Sequence, residues 1–391
     1  IDSIKRVEIL ATYRQQYGGL DDSLVERLTA ERTLGGVIGL IVGDLSSQVS
    51  LSADEGVPTI VHPYPLLGTI VSWEPNRELV AERVFDLARD RYLRDHTMGR
   101  TVATTDDSLT PLAIMPLTMS LEILAEAAAC LIPGKVVVGM RDVHAGRWLA
   151  WEDAPQTLRV TATRLDDDFD RARAHVSLWN LSEPGAGAVS PVVETTVLLD
   201  DAYPRPVAPR ISRPAGGRAS RWTPDRLYRD VMFHGPAWQG VKAIDETGTD
   251  GIVARLEVLP TTGFFTDAPS ADFVVAPVVL DAAGQAIGFW TTEHLTTGRV
   301  VFPFRLAGLD IFGPPRPVGE ASDCLASIKL IRDPLLRSDI ELVCADGALW
   351  MRLEGWEDKR FDVPSHLLSL ILARDGETIS SDWPDGAVPF D

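Results

Sequence analysis

Cysteine is scarce: Cys130, Cys324 and Cys344 are the only three in 391 residues, and none forms a CxxC pair. That excludes a disulfide framework and a thiolate zinc site. Positive charge is also short. Thirty-seven Lys and Arg stand against 56 Asp and Glu, a net charge of −19, which repels phosphate backbones and excludes nucleic acid as a partner. No apolar run reaches the ~20 residues that cross a bilayer. The opening residues, Ile1-Asp2-Ser3-Ile4-Lys5-Arg6, lack the order of a secretory signal. The expectation is a cytoplasmic protein with no membrane partner. What is present, 45% hydrophobic and 24% charged residues, suffices for two or three domain-sized units with a real core.

The pattern along the chain divides it. Residues 1–45 read as a helical segment and 46–66, rich in Ser, Gly, Asp and Pro, as a linker. From 67 to 204, strand-like stretches surround one long apolar helix, which opens at Pro116 and stops at Pro133-Gly134. A helix apolar nearly all round belongs inside a fold, wrapped by something. Arg205, Arg210, Arg213, Arg218 and Arg221, interleaved with Pro and Gly, read as a second linker over 205–222. Residues 223–365 then repeat the plan: a strand-like stretch at Ile252–Val258, an apolar helix opened by Pro277, and a run of strands. Trp356 to Pro364 reads as exit from the fold, and 366–391 as a tail. The predicted class is α+β: two tandem antiparallel sheets, each wrapped around a central helix.

Few residues stand out chemically. His96 follows a strand-like segment and precedes a polar loop. Asp281 is placed in the first turn of the second helix, with Gln285 on the same face at i+4. From spacing alone Asp281 has two readings: an anion that caps its helix, or an acid in a dry cleft whose pKa rises until it is protonated near neutrality. Glu122 and Glu126, also i and i+4, lack the further partners of a metal site and are expected to be hydrogen-bonded or at the helix's open end. His234 reads first as packing or hydrogen-bonding in a turn and second as a substrate contact, and Tyr228, Phe233 and Trp238 as core or tunnel wall.

Four phrases carry a resemblance: Asp95-His96-Thr-Met-Gly99; Met115-Pro116-Leu-Thr-Met-Ser-Leu-Glu122; Phe233-His-Gly235-Pro236-Ala-Trp238-Gln239-Gly240; and Leu280-Asp281-Ala-Ala-Gly-Gln285. In this order they resemble the double-hotdog dehydratase domains of type I polyketide and polyunsaturated fatty-acid synthases. The resemblance implies a base at His96 and an acid at Asp281, facing each other across a tunnel. It gives supporting or substrate-binding places to Gln285, Gly99, Pro116, Gly235 and Pro236. The glycine at the third position after His96 and the distant Pro116 depart from the common modular form and look more like the iterative synthases. An oxyanion donor is therefore expected among backbone N–H groups near Gly99 or the start of the first helix.

Asp2-Ser3-Ile4-Lys5-Arg6-Val7 resembles the Asp-Ser segment of an acyl carrier protein, which makes Ser3 a phosphopantetheine attachment site by resemblance. The chain then reads as a piece of a larger synthase. The implied reaction removes water from a carrier-tethered 3-hydroxyacyl thioester. No metal or redox cofactor is implied, and 4′-phosphopantetheine presents the substrate. The implied partners are the carrier, other domains of the synthase, and a second copy in a homodimer formed through the parent synthase. The arginines of 205–222 offer either a docking patch for an acidic carrier or plain solvated charge. The same residues permit a double-bond isomerase or cyclase, or a silent hotdog module that docks a carrier or neighbouring domain.

Overall fold

The computed structural model describes residues 63–99, 111–152, 154–168, 171–182, 190–268, 270–295, 299–332 and 334–362. Ser3 with its carrier-like stretch, and the expected tail, lie outside the described residues.

The first half opens with the hairpin β1 (Thr69–Glu74) and β2 (Glu78–Phe85). Short strands β3 (Thr97–Met98) and β4 (Leu112–Ile114) lead to helix α1 (Leu117–Leu131). Then come β5 (Val136–Ala145), β6 (Ala150–Trp151), β7 (Gln156–Asp168), β8 (Arg171–Asn180) and β9 (Val193–Asp200). The second half contains α2 (Pro224–Asp230), β10 (Val241–Gly248), β11 (Gly251–Glu257), α3 (Pro277–His294), β12 (Arg299–Ile311), β13 (Ala321–Arg332), β14 (Leu335–Cys344) and β15 (Leu349–Asp362).

Helix α1 is built from strong helix formers, Leu, Met, Ala and Glu, and every one of its residues is buried. The strands β2, β5, β7, β8 and β9 wrap it. Emptying so close-packed a position, as in Leu124→Ala, costs ~2–5 kcal/mol. Helix α3 packs on β10, β11, β12 and β13 in the same way, and the two helices touch each other. This is the double hotdog.

The sheets are not separate. The strand order is β1-β2-β7-β8-β9-β5-β12-β15-β14-β13-β11-β10, one sheet of twelve, while β3, β4 and β6 form a small second sheet. The seam is the antiparallel pairing of β5 with β12, from His144 opposite Arg305 to Gly139 opposite Asp310. A Cβ at Gly139 would lie 2.4 Å from the Leu309 carbonyl. Arg141 closes the seam by donating to the Leu309 carbonyl at 2.8 Å and pairing with Asp310.

Other readings need correction. The stretch 147–151 is strand only at Ala150–Trp151, because Trp148 turns out of the sheet onto Phe302, ring centroids 4.5 Å apart. The supposed exit after Trp356 is a strand to Asp362, in which Trp356, Asp358 and Arg360 alternate inward. The arginines after 205 lie along a segment that follows the second half without regular structure, and four of them have partners. Arg210 pairs with Glu354, Arg213 with Glu246 and Arg218 with Glu293. Arg221 donates to the Glu293 carbonyl at 3.1 Å. With those cations neutralised, the segment is a strap and supplies no strong positive patch.

Among the described residues no helix is long and apolar enough to cross a membrane.

Candidate active site

His96 is held from several sides. The buried turn Arg91–Leu93 anchors it: Tyr92 stacks on Phe264, centroids 5.7 Å apart, and its carbonyl accepts from the Trp238 indole at 2.9 Å. Asp95 then grips the second half. Its carbonyl accepts from Gly235 N at 2.6 Å and its carboxylate from Ala237 N at 3.0 Å. Only glycine fits at 235, since a Cβ there would sit 2.6 Å from Asp95 Cγ. The result is an isolated bridge that sets His96 antiparallel to His234.

The ring of His96 is oriented by its own hydrogen bond. Nδ1 lies 2.7 Å from the Ile114 carbonyl, a group that only accepts, so Nδ1 carries the proton and Nε2 keeps its lone pair. Burial pushes the imidazole down to about 4, against the opposing pull of the Ile114 carbonyl. It is neutral at neutral pH.

Asp281 is the fifth residue of α3, which has no acid in its first turn, so the capping reading fails. Pro277 starts the helix one residue beyond Ala276, a non-glycine with φ of 52°. That conformation costs ~1–2 kcal/mol and is held from outside: the Glu122 carboxylate accepts from Val274 N at 2.5 Å and Val275 N at 2.8 Å. The first helix thus fixes the start of the second. Burial raises Asp281 to about 7, with the Gln285 hydrogen bond pulling the other way.

Gln285 is locked in one orientation. Its Nε2 donates to Asp281 Oδ2 and to the Trp238 carbonyl, both at 2.7 Å. Its Oε1 accepts from the Tyr228 hydroxyl at 2.5 Å, which itself accepts from Val241 N at 2.9 Å. Tyr228 and Trp238 are therefore supports behind the site, whereas Phe233 is cavity wall.

The residue that sequence reasoning ranked too low is His234. Its Nε2 lies 3.5 Å from Asp281 Oδ2, and its ring centroid lies 4.9 Å from that of His96. One donor atom from each of His96, His234 and Asp281 falls within 4.8 Å of the others. Two imidazoles and a carboxylate this close suit a divalent ion such as zinc as well as proton transfer. The available signal was the inward-facing place of His234 in the Phe-His-Gly-Pro phrase.

All three line a cavity of about 120 Å³ with mostly apolar walls. Pro116, Leu117 and Ser120 bring the start of α1 to it, and Gly284, Gly288 and Thr292 continue the Asp281 face of α3 along it. Gly99, Gly235 and Pro236 are not among its lining residues. Gly99 is a left-handed turn residue with φ of 71°, and Gly235 and Pro236 instead build the turn that seats His234.

Residues 207–365 match the family described as polyketide synthase dehydratase N-terminal domain. The fold is that of a polyketide synthase dehydratase. One chain of the polyunsaturated fatty acid synthase from Thraustochytrium sp. (strain ATCC 26185 / S-3) is 24% identical over 196 residues, 49% of this chain and 7% of that one. The chain thus spans a small part of that relative. The dehydratase domain from the CurF module of curacin polyketide synthase superposes with a TM-score of 0.59 at 16% identity, covering 77% of this chain and all of that one. The dehydratase domain of PpsC from Mycobacterium tuberculosis, in complex with C12:1-CoA, gives 0.55 at 23%, with 77% and 100% covered. A His→Phe and an Asp→Asn variant of the CurK dehydratase, both described as inactive mutants, each give 0.54 at 18% and 16%. The family read from the four phrases is the family these dehydratase comparisons return.

Proposed function

We infer that this dehydratase domain removes water from a 3-hydroxyacyl thioester carried on the phosphopantetheine of an acyl carrier protein, giving the trans-2-enoyl thioester. The observation that carries the reading is the meeting of an imidazole whose Nε2 is left free by the Nδ1 bond to the Ile114 carbonyl with a carboxyl that burial raises to about 7, in one mostly apolar cavity. The inactive histidine and aspartate variants of the CurK dehydratase support the same pair of residue types.

The atoms balance without a cofactor. His96 Nε2 takes the α-proton, the Cα–Cβ double bond forms, and the Cβ–O bond breaks as Asp281 protonates the departing hydroxyl, releasing water. The thioester oxygen gathers charge meanwhile. Met119 N and Ser120 N donate to the Pro116 carbonyl, and the amides of Leu117 and Thr118 precede those bonds where Pro116 and Leu117 meet the cavity, a suitable place for that charge. Gln285 keeps the Asp281 carboxyl aimed, and His234 borders the hydroxyl's exit side.

The test is a 3-hydroxyacyl-pantetheine thioester offered to the parent and to His96→Phe, with enoyl product followed by its absorbance. Water loss by the parent, falling ~10²–10⁴-fold in the variant, is expected. A parent that binds the thioester without dehydrating it sinks the reading and leaves a docking module.

A further inference from the structure

The cavity holds a second carboxyl that the elimination does not use. Asp358 is 3% exposed. It stands on β15 one inward position past Trp356, ~7 Å along the strand, opposite Pro303 of β12. Both Asp358 and Pro303 line the cavity, as do Thr291 and Thr292. Those threonine hydroxyls are already engaged, donating to the Gly288 carbonyl at 2.8 and 2.9 Å.

The oxygen Oδ2 of Asp358 is fully buried and accepts no hydrogen bond. The Trp356 indole N–H is also buried without a bond of ordinary geometry, and its interaction is with this carboxyl. Burial pushes the carboxyl up to about 7, with the nearby indole drawing it back. Buried polar atoms without partners are rare in folded proteins and mark places where something polar belongs. A carboxyl in its neutral form offers one donor and one acceptor, which suits a hydroxyl or carbonyl oxygen better than a cation.

The place in the cavity says which part of a substrate arrives there. Trp148, 41% exposed, lines one side and marks the mouth. The walls supplied by α3, from Asp281 to Thr292, extend for ~16 Å at 1.5 Å per residue. A thioester arm tied to a carrier must stay on the exposed side, so the buried carboxyl faces the free acyl chain. We propose that Asp358, with the Trp356 indole, forms a polar subsite that grips a hydroxyl or keto oxygen on the acyl chain, so that oxygenated chains are preferred over plain hydrocarbon ones. The proposal rests on the dehydratase reading above and names the substrate class for it.

The test separates the two. Pairs of trans-2-enoyl pantetheine thioesters of equal length, one plain and one bearing a hydroxyl moved one carbon at a time along the chain, are titrated calorimetrically into the parent, Asp358→Asn and Asp358→Leu. One hydroxyl position is expected to bind about tenfold more tightly than the plain chain. Asp358→Asn keeps part of that preference, because an amide also donates and accepts, and Asp358→Leu abolishes it. A parent with no preferred position overturns the subsite without recourse to any variant. A preference that survives in Asp358→Leu overturns it too. Equal weakening of plain and hydroxylated ligands in Asp358→Leu also overturns it, by placing Asp358 on the pantetheine arm. Turnover of the matching 3-hydroxyacyl thioesters is read separately: position-dependent binding without dehydration removes the reaction and keeps the subsite, and dehydration without preference does the reverse.

Discussion

The two central helices carry the same device and use it differently. Each is apolar, each is opened by a proline, and each bears a polar pair at i and i+4: Glu122 with Glu126 on α1, Asp281 with Gln285 on α3. Both acids of α1 are raised, chiefly by burial, and for Glu126 also by the charge of Glu122. Yet both carboxyls are turned to backbone, with Glu126 Oε1 alone of their four oxygens left without a partner. Glu122 holds Val274 and Val275, and Glu126 Oε2 accepts from Leu66 N at 2.8 Å. Asp281 accepts from Gln285 and opens onto a cavity. A buried carboxyl with a raised pKa is therefore no sign of catalysis by itself. The open space in front of it decides.

Substitution should break this symmetry. Asp281→Asn is isosteric and is expected to lower kcat by ~10²–10⁴-fold with little change in melting temperature. Glu122→Gln should do the opposite, putting an NH₂ against one of two backbone donors and costing ~1–3 kcal/mol of stability. A Glu122→Gln chain that melts normally but is inactive would put α1 in the chemistry.

The pH dependence sharpens the contrast. His96, lowered to about 4, is a free base above that pH, and Asp281, raised to about 7, is an acid below it. Turnover should therefore plateau between the two and fall roughly tenfold per unit outside. The residual rate of Asp281→Asn should lose the alkaline limb. Stability is governed by the other helix. Glu122 and Glu126 release their protons more readily unfolded than folded, so the stability they lend is complete below the ordinary glutamate range and is lost as pH rises through their higher folded values. Thermal melts across pH, compared with Glu126→Gln, check that sign.

The smallest effect belongs to the joint between the helices. Ala276→Gly removes the left-handed strain before Pro277 and should raise stability by up to ~1 kcal/mol. A loss on chemical denaturation would show that the Ala276 methyl contributes packing that outweighs the strain.

Much of this was readable in the residues. Proline-opened apolar helices followed by strand-like runs led to the tandem plan, and the four phrases located His96, Asp281 and Gln285, which the fold brings to one cavity. What escaped depended on partners far apart in sequence. The one-sheet union needs β5 to meet β12, a pairing no local pattern encodes. His234 looked like a turn residue because its neighbours Gly235 and Pro236 are, and only the grip of Asp95 on that turn swings its ring towards Asp281. Asp358 was lost when an inward alternation at Trp356, Asp358 and Arg360 was taken for the exit from the fold. Asp281 was assigned to the first turn of a helix whose start at Pro277 was read correctly, yet as its fifth residue it lies just past that turn.

The seam between β5 and β12 has a mechanical meaning. Two lobes stitched by a ladder of main-chain hydrogen bonds cannot gape like jaws, so an acyl chain must be threaded lengthwise and withdrawn the same way. The bore of that passage is then set by fixed side chains such as Trp356 and Met232, lying against Gly284 and Gly288. Tolerance for bulky branches should change in steps with the girth of those four positions, and should be indifferent to solvent viscosity.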